Sequence, residues 1–195
     1  MSKIFYIMGM SGSGKTTLYN KLVMLKDSLN INPLIQYTTR PKRDNEKDNI
    51  DYHFINDNKF INMIDNKEFI EFRIYNTNNG IYKYGTAYKD IEKNKNYISS
   101  GSDIDAYIKI KEELGDDIIP IFLYTSDDII LSRIIDRCKD RKEYKEACRR
   151  FIDDIDRYDV NKAKYEYKIP SDNCFDSSNN SVLIKVMQLI YSIIK

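Results

Sequence analysis

A glycine-rich segment that ends in Lys-Thr carries the clearest chemical signal in the chain. Residues 9–17 read Gly-Met-Ser-Gly-Ser-Gly-Lys-Thr-Thr and follow an apolar run at residues 3–8. Glycines allow positive φ, so that several backbone N–H groups can turn toward one anion, which the N-terminus of the next helix also attracts. Lys15 adds a positive charge for the β- and γ-phosphates of a nucleotide, and the Thr16 hydroxyl is placed to bind Mg²⁺. The segment therefore predicts a bound nucleoside triphosphate.

The elements around this segment follow the pattern of an α/β domain. Leu18, Leu22 and Leu25 have the spacing of one helical face, and residues 30–33 end this first strand–helix unit. Two further units follow, with strands expected at residues 118–125 and 165–169 and helices after them, the last over residues 182–194. Parallel strands that alternate with helices form a sheet covered on both faces, which binds ligands at the carboxyl ends of its strands.

The pattern changes between residues 34 and 88. Short alternating stretches at residues 51–55, 68–73 and 81–85 predict strands, with one helix near residues 59–64. We expect a small mixed insertion here that binds a substrate.

The size and charge of the chain restrict its class. Its 195 residues are enough for one domain, and 31 Lys plus Arg against 30 Asp plus Glu leave no basic field that would attract nucleic acid. Its apolar runs are too short to span a bilayer, and its start lacks the pattern of a signal peptide. We expect a cytoplasmic protein, monomeric or homodimeric, that binds neither nucleic acid nor membrane.

A series of short motifs in the insertion resembles the guanylate kinase family. Residues 37–43 read Tyr-Thr-Thr-Arg-Pro-Lys-Arg, followed by Glu46, by Asp-Tyr-His-Phe at 51–54, by Phe-Ile-Glu at 69–71 and by Tyr-Gly-Thr at 84–86. Their order and spacing resemble the GMP-binding module of that family, and the resemblance extends from the glycine-rich segment to the C-terminal helix. Asn45 and Asn49 replace glycines of the family's next loop, and Asn tolerates left-handed backbone well.

The resemblance implies an α/β fold, that of the P-loop nucleoside monophosphate kinases. This fold has a parallel sheet core flanked by helices, a small mixed α/β nucleotide-monophosphate-binding insertion and a helical lid. The implied organisation is one domain over residues 1–195, with its core at 1–33, 96–132 and 152–195, the GMP-binding subdomain at 34–95 and the lid at about 133–151.

The resemblance also implies an activity. A guanylate kinase transfers the γ-phosphoryl group of ATP to GMP, and by expectation to dGMP, giving ADP and GDP for purine nucleotide metabolism. The co-substrate is ATP with Mg²⁺, held by Thr16 and otherwise largely through waters. The implied ATP-binding residues are Gly9, Met10, Ser11, Gly12, Ser13, Gly14, Lys15, Thr16 and Thr17.

The acceptor residues can be checked against the chemistry of GMP. Arginine forks and phenolic hydroxyls bind phosphate oxygens directionally. One carboxylate can accept both the N1–H and the amine of guanine, and O6 needs a donor. Gln36 stands where the family has Ser, and Asp103 aligns with a family acid, although a helix N-cap is the alternative. The implied GMP-binding residues are Gln36, Arg40, Arg43, Tyr52, Glu71, Tyr84, Gly85, Thr86 and Asp103.

The lid is implied by a run of arginines. Within residues 131–137, Leu-Ser-Arg-Ile-Ile-Asp-Arg, the two arginines have the spacing of those in the family's Leu-x-x-Arg-Leu-x-x-Arg pattern, and Arg133 and Arg137 would lie on one face of a single helix. Either Arg149 or Arg150 matches the next family arginine, and we favour Arg150. Such side chains can neutralise charge on a moving phosphoryl group. The alternative is a solvent-exposed face of salt bridges. The implied catalytic residues are Lys15, Arg43, Arg133, Arg137 and Arg150.

Two other functions compete with this prediction. A kinase of the same fold could phosphorylate a sugar phosphate, but Glu71 and Thr86 are suited to guanine. A non-catalytic guanylate-kinase-like module could bind peptides, but this chain keeps Lys15 and an intact phosphate loop.

Overall fold

Strands and helices alternate along the chain, as the spacing of apolar residues predicts. The computed structural model describes residues 2–77, 80–101, 104–158, 165–172 and 181–194. In chain order the elements are β1 (Ile4–Met8), α1 (Lys15–Met24), α2 (Lys26–Leu29), β2 (Ile31–Pro33), β3 (Tyr37–Thr38), β4 (His53–Phe54), α3 (Asp57–Asp65), β5 (Phe69–Thr77), β6 (Gly80–Ala87), β7 (Asn96–Ser100), α4 (Ile104–Leu114), β8 (Ile118–Tyr124), α5 (Asp127–Ile135), α6 (Arg141–Arg157), β9 (Tyr167–Pro170) and α7 (Ser181–Ile194).

The central sheet contains parallel strands in the order β2-β7-β1-β8-β9. All five residues of β1 are buried, because helices cover both faces of the sheet. The chain crosses to one side after β1 and to the other side for β8 and β9. The carboxyl end of β1 is therefore a point where the winding direction reverses, which is where open α/β sheets bind ligands.

Two apolar layers stabilise the central sheet. On one face, Leu18 and Leu22 of α1 pack with Val186 and Ile190 of α7. On the other face, α4 and α5 contribute buried isoleucines, and Tyr158, which follows α6, stacks on Phe122 at a centroid distance of 5.7 Å. These layers fix the helices that carry the functional loops.

A second sheet, in the order β4-β3-β6-β5, forms the predicted mixed insertion. The pair β3–β4 is parallel, whereas β6 is antiparallel to both β3 and β5. Helix α3 closes a small separate core with this sheet, formed by Tyr37, Phe60, Met63, Phe69 and Ala87.

Several local features differ from the sequence-based expectations. Residues 31–33, expected only to end a unit, form the edge strand β2, a position that tolerates Pro33. Strand β7 is not among the predicted strands; it contains two serines, of which Ser99 is buried. Helix α5 ends at Ile135, so the expectation that one helix carries both Arg133 and Arg137 is wrong: Arg137 lies in the turn that follows. Within the described ranges, no helix combines the length and apolarity needed to cross a bilayer.

Candidate active site

The phosphate loop joins the carboxyl end of β1 to α1 through glycines with left-handed backbone. Gly9, Gly12 and Gly14 have φ of 148°, 85° and 96°. A Cβ on Gly9 would lie 2.4 Å from the carbonyl oxygen of Leu123, so the loop can pack against β8 only with glycine there. Because Gly14 is the N-cap of α1, no side chain covers the first amides of this helix. These amides and the helix dipole suit an anion.

Lys15 folds back over this loop from the first turn of α1. Its Nζ donates to the carbonyl oxygens of Gly9 at 2.7 Å and of Met10 at 2.8 Å. Burial lowers the pKa of Lys15 to about 8; the charge of Asp154 opposes this shift, and the charge of Arg137 adds to it. The lysine, the arginine and the aspartate therefore share one electrostatic environment at the loop.

Asp154 on α6 also reaches the loop, although nothing in the sequence singled it out. Its Oδ2 accepts a hydrogen bond of 2.6 Å from the backbone N–H of Ser11, across 143 positions of the chain. Backbone amides of such a loop are the groups that bind phosphate oxygens. The carboxylate thus occupies a donor of the phosphate loop, a contact that only the folded chain reveals.

The predicted lid arginines lie in three different settings. Arg133 donates to the carbonyl oxygens of Gly12 and Ser171 at 3.2 Å each, and also to that of Asp172, so it joins the loop to the end of β9. Arg137 lies close enough to Lys15 to affect its pKa. Arg150 donates to Glu146 on its own helix at 2.8 Å, and Arg149 bridges Glu146 and Asp153. The salt-bridged face considered above is therefore present around Arg149 and Arg150.

Three predicted base-binding residues form a buried chain of hydrogen bonds. The Nε2 of Gln36 donates to Oγ1 of Thr86 at 3.1 Å, and the Thr86 hydroxyl donates to Oε1 of Glu71 at 2.7 Å. Glu71 is only 2 % exposed. Gly85 next to them contributes space, since a Cβ there would lie 2.8 Å from the ring of Phe69. Strands β5 and β6 supply the carboxylate and the hydroxyl, and the residue before β3 supplies the amide.

Arg73, which the sequence analysis missed, contacts the carboxylate of this chain. Its Nε lies 3.0 Å from Oε2 of Glu71, and its Nη2 lies 3.4 Å from Oε1. The two residues are two positions apart on β5 and therefore share one face of the strand. That spacing was visible in the sequence, but Arg73 belongs to none of the motifs that carried the resemblance.

A second group of predicted residues surrounds Arg40. Its guanidinium forms two hydrogen bonds with the Glu46 carboxylate, of 2.7 and 3.0 Å, and lies 5.5 Å from the centroid of the Tyr52 ring. Tyr52 and Tyr84 meet edge to face at 5.9 Å. Burial and Tyr84 raise the pKa of Tyr52, whereas Arg40 and Arg73 lower it, and the net shift is upward. Tyr52 therefore keeps its hydroxyl proton as a hydrogen-bond donor at neutral pH.

Glu46 organises this group. Burial raises its pKa, but the hydrogen bonds from Arg40 and from the backbone of Arg43 outweigh burial, so the pKa of Glu46 lies below its ordinary value. The side chain of Arg43 itself is 66 % exposed and lies 3.9 Å from Glu46. The same loop contains Asn49 at φ 62°, as expected for an Asn in place of glycine, whereas Asn45 is not among the residues with positive φ.

Helix α1, which begins at the phosphate loop, comes close enough to the insertion for their side chains to interact electrostatically. Burial raises the pKa of Tyr19 on α1 to about 12, and the charge of Asp51 adds to this shift. The helix that begins at the phosphate loop thus lies alongside the insertion. Asp103, the remaining predicted acceptor residue, lies outside the described residues.

Comparisons with known proteins agree on one family. The family model for guanylate kinase matches residues 1–173. A guanylate kinase of Helicobacter hepaticus is 34 % identical over 146 residues, which cover 72 % of this chain and 70 % of that protein. A guanylate kinase of Prochlorococcus marinus is 30 % identical over 176 residues, covering 90 % and 87 %.

A solved structure supports the fold separately. The crystal structure of guanylate kinase from Anaplasma phagocytophilum aligns with a TM-score of 0.62 at 21 % identity, and covers 98 % of this chain and 84 % of that one. The range matched by the family model includes the glycine-rich segment, the predicted base-binding residues and the predicted lid arginines. This chain therefore belongs to the guanylate kinase family.

Proposed function

We propose that this guanylate kinase transfers the γ-phosphoryl group of ATP to GMP, and also to dGMP, with the residues described above in specific roles. The proposal rests on the buried hydrogen bonds that connect Gln36, Thr86 and Glu71, in a protein that also has an intact phosphate loop. These three hydrogen-bonded side chains favour a guanine acceptor over a sugar phosphate. The loop and Lys15 favour an enzyme over a peptide-binding module.

The donor half would be formed by residues 9–17. Loop amides and the N-terminus of α1 would bind the β-phosphate, and Lys15 would move from its carbonyl partners to the β- and γ-phosphate oxygens. Each of these interactions neutralises charge that spreads over the phosphoryl oxygens in the transition state. Lys15 gains most from this move, because a phosphate would favour its charged form.

Mg²⁺ fits the loop as a companion of the nucleotide. Among the described residues, no group of three His, Cys, Asp or Glu side chains could hold a metal ion. The exposed hydroxyl of Thr16 offers one hard oxygen ligand, which suits an ion that keeps several waters and binds phosphate oxygens. When bound there, Mg²⁺ would neutralise charge on the β- and γ-phosphates.

The acceptor base would bind at Glu71. Its carboxylate would accept the N1–H and the amine of guanine, while the Thr86 hydroxyl or the Gln36 amide would donate to O6. The Thr86 hydroxyl donates to Glu71 in the structure, so its proton would have to turn from the carboxylate to the base. Adenine would present the opposite donor pattern to both groups.

The acceptor phosphate would bind among Arg40, Arg43, Tyr52 and Tyr84. Arg40 is already oriented by Glu46, whereas the exposed Arg43 is free to close on the bound phosphate from the solvent side. Two guanidinium groups and two phenols match the roughly two negative charges of a monophosphate. Asp103 stays a candidate for the same region.

The lid would centre on α6 and the turn before it. The boundaries expected at 132–133 and 151–152 cut α5 and α6, so we propose α6 as one rigid element of the lid. Arg150 precedes Asp154 by one helical turn, and Asp154 contacts the loop. We therefore favour Arg150 over Arg149 as the arginine that joins Arg133 and Arg137 at the phosphoryl group.

A coupled ADP-release assay with GMP, dGMP, AMP, CMP, UMP and a panel of sugar phosphates tests this function. We expect turnover with GMP and dGMP and little with the other acceptors. Turnover with AMP or a sugar phosphate but none with GMP would contradict the proposal.

A further inference from the structure

The base pocket contains a full charge pair, not a lone carboxylate. Both side chains are nearly inaccessible, with 10 % of the Arg73 side chain and none of the Glu71 side chain exposed. The arginine approaches both carboxylate oxygens, at 3.0 and 3.4 Å. The contact from Nη2 to Oε1 is a hydrogen bond and the contact from Nε to Oε2 is an ion pair, so the guanidinium compensates the charge of the carboxylate and approaches it at both oxygens.

Burial makes this compensation necessary. An ionised carboxylate without a partner is costly to bury, and removing one member of a buried pair leaves the other uncompensated. The other hydrogen-bond partner seen for Glu71, Thr86, is neutral, and so is Gln36 behind it. Arg73 therefore supplies a positive charge to this network.

The position of Arg73 allows two roles. It faces Tyr84 across the β5–β6 pair, and its charge acts on the Tyr52 hydroxyl. It could therefore act through Glu71 on the base, or bind the acceptor phosphate beside the tyrosines. The Nε and Nη2 atoms both lie at the carboxylate, so one of the two edges through which a guanidinium can make a two-point contact is already taken up by Glu71. This geometry favours the first role.

We infer that Arg73 is a positioning residue for base selection, which holds both oxygens of Glu71 in place for two adjacent donors on a purine; the inference rests on the proposed function. The substrate class it selects is a 2-amino-6-oxopurine nucleotide. IMP carries the N1–H and O6 of guanine but lacks the 2-amine. The preference for GMP over IMP therefore measures how well the second carboxylate oxygen is placed.

Steady-state kinetics of the full chain with GMP and IMP test this role. Arg73→Met should raise KM for GMP at least tenfold and reduce the GMP-over-IMP ratio of kcat/KM by at least fivefold, with KM for ATP within twofold of wild type. Arg73→Lys keeps the charge but loses the two-point contact, so it should give an intermediate ratio, at least threefold below wild type. Lys109→Met removes a cation near β5 outside the pocket and should leave the ratio unchanged.

A double-mutant cycle separates the two roles of Arg73. If Arg73 acts through Glu71, then Glu71→Gln combined with Arg73→Met should lose no more than threefold beyond Glu71→Gln alone. If the kcat/KM losses of the two single variants multiply in the double variant, or if Arg73→Met lowers kcat/KM equally for GMP and IMP, the inference is overturned in favour of direct phosphate binding. If Arg73→Met does not fold, an unchanged GMP-over-IMP ratio in Arg73→Lys would overturn it instead. Absence of wild-type turnover with GMP would refute the proposed function itself, a result distinct from all of these.

Discussion

The donor and acceptor halves of the proposed site are held together in different ways. The phosphate loop is one continuous segment that offers backbone amides, and its shape depends on glycines at positions where a side chain would clash or strain. The acceptor half consists of side chains from separate strands and loops, held by the pairs Arg40–Glu46 and Arg73–Glu71. Local backbone geometry thus defines one half, and charge-paired side chains brought together from separate strands and loops define the other.

This difference predicts how each half should fail. A change in the loop should affect ATP and the chemical step and leave GMP binding intact. A change in a charge pair should affect GMP first, because the partner group loses its orientation. A loop variant that weakens GMP binding, or a charge-pair variant that weakens ATP binding equally, would contradict this difference between the two halves.

Lys15→Ala should give the largest effect. We expect kcat to fall by about three orders of magnitude, since a positioned charge at the reacting group contributes about that much. KM for GMP should change less than threefold, and the melting temperature should stay close to that of wild type. Lys26→Ala, which removes an exposed lysine from α2, is the matched control. Near-normal turnover in Lys15→Ala would remove the loop from the mechanism.

Glu46→Gln should weaken GMP binding while sparing ATP. Loss of a charged hydrogen-bond partner costs about 1.5–3 kcal/mol, so KM for GMP should rise about ten- to a hundredfold. Asp44→Asn removes the same charge from an exposed position of the same loop and should have little effect. An equal rise in KM for ATP would show that the two halves are not separable in this way.

The pH dependence of ATP binding should report on Lys15. Its pKa of about 8 means that its charge is present below that pH and is lost as the pH rises through it. KM for ATP should therefore rise by about tenfold for each unit by which the pH exceeds the pKa. KM for GMP should stay nearly constant over the same range. Lys15→Arg keeps its charge at all these pH values, and a similar rise in that variant would assign the titration to another group.

Asp154→Asn should give the smallest effect, and it should strengthen ATP binding rather than weaken it. Its amide oxygen can still accept from Ser11, but the negative charge that opposes a phosphate is gone, so ATP affinity should increase about threefold. Asp156→Asn, exposed on the same helix, is the control for general charge effects. Isothermal titration with an unreactive ATP analogue measures both variants, and weaker binding in Asp154→Asn would refute this reading of the contact.

The sequence predicted the features that depend on neighbouring residues. The phosphate loop, the mixed insertion and the left-handed Asn49 all follow from short-range rules. Strand β2 was not predicted because three residues that include Asn and Pro have no strand pattern. Strand β7 was not predicted because its serines are polar, although one of them is buried. Asp154 at Ser11 could not be predicted, because 143 positions separate the two residues and only the packing of α6 brings them together.

Tyr158 packs on Phe122 of the central sheet at the C-terminal end of α6, so the rest of the helix could rotate about this end. The helix has 17 residues and is about 25 Å long, so a rotation of about 10° at Tyr158 would move its far end by about 4 Å. The same rotation would displace Arg150 by about 2 Å and Asp154 by only about 1 Å. If the hydrogen bond between Asp154 and Ser11 broke and the helix rotated in this way, Arg150 would therefore move about twice as far as Asp154.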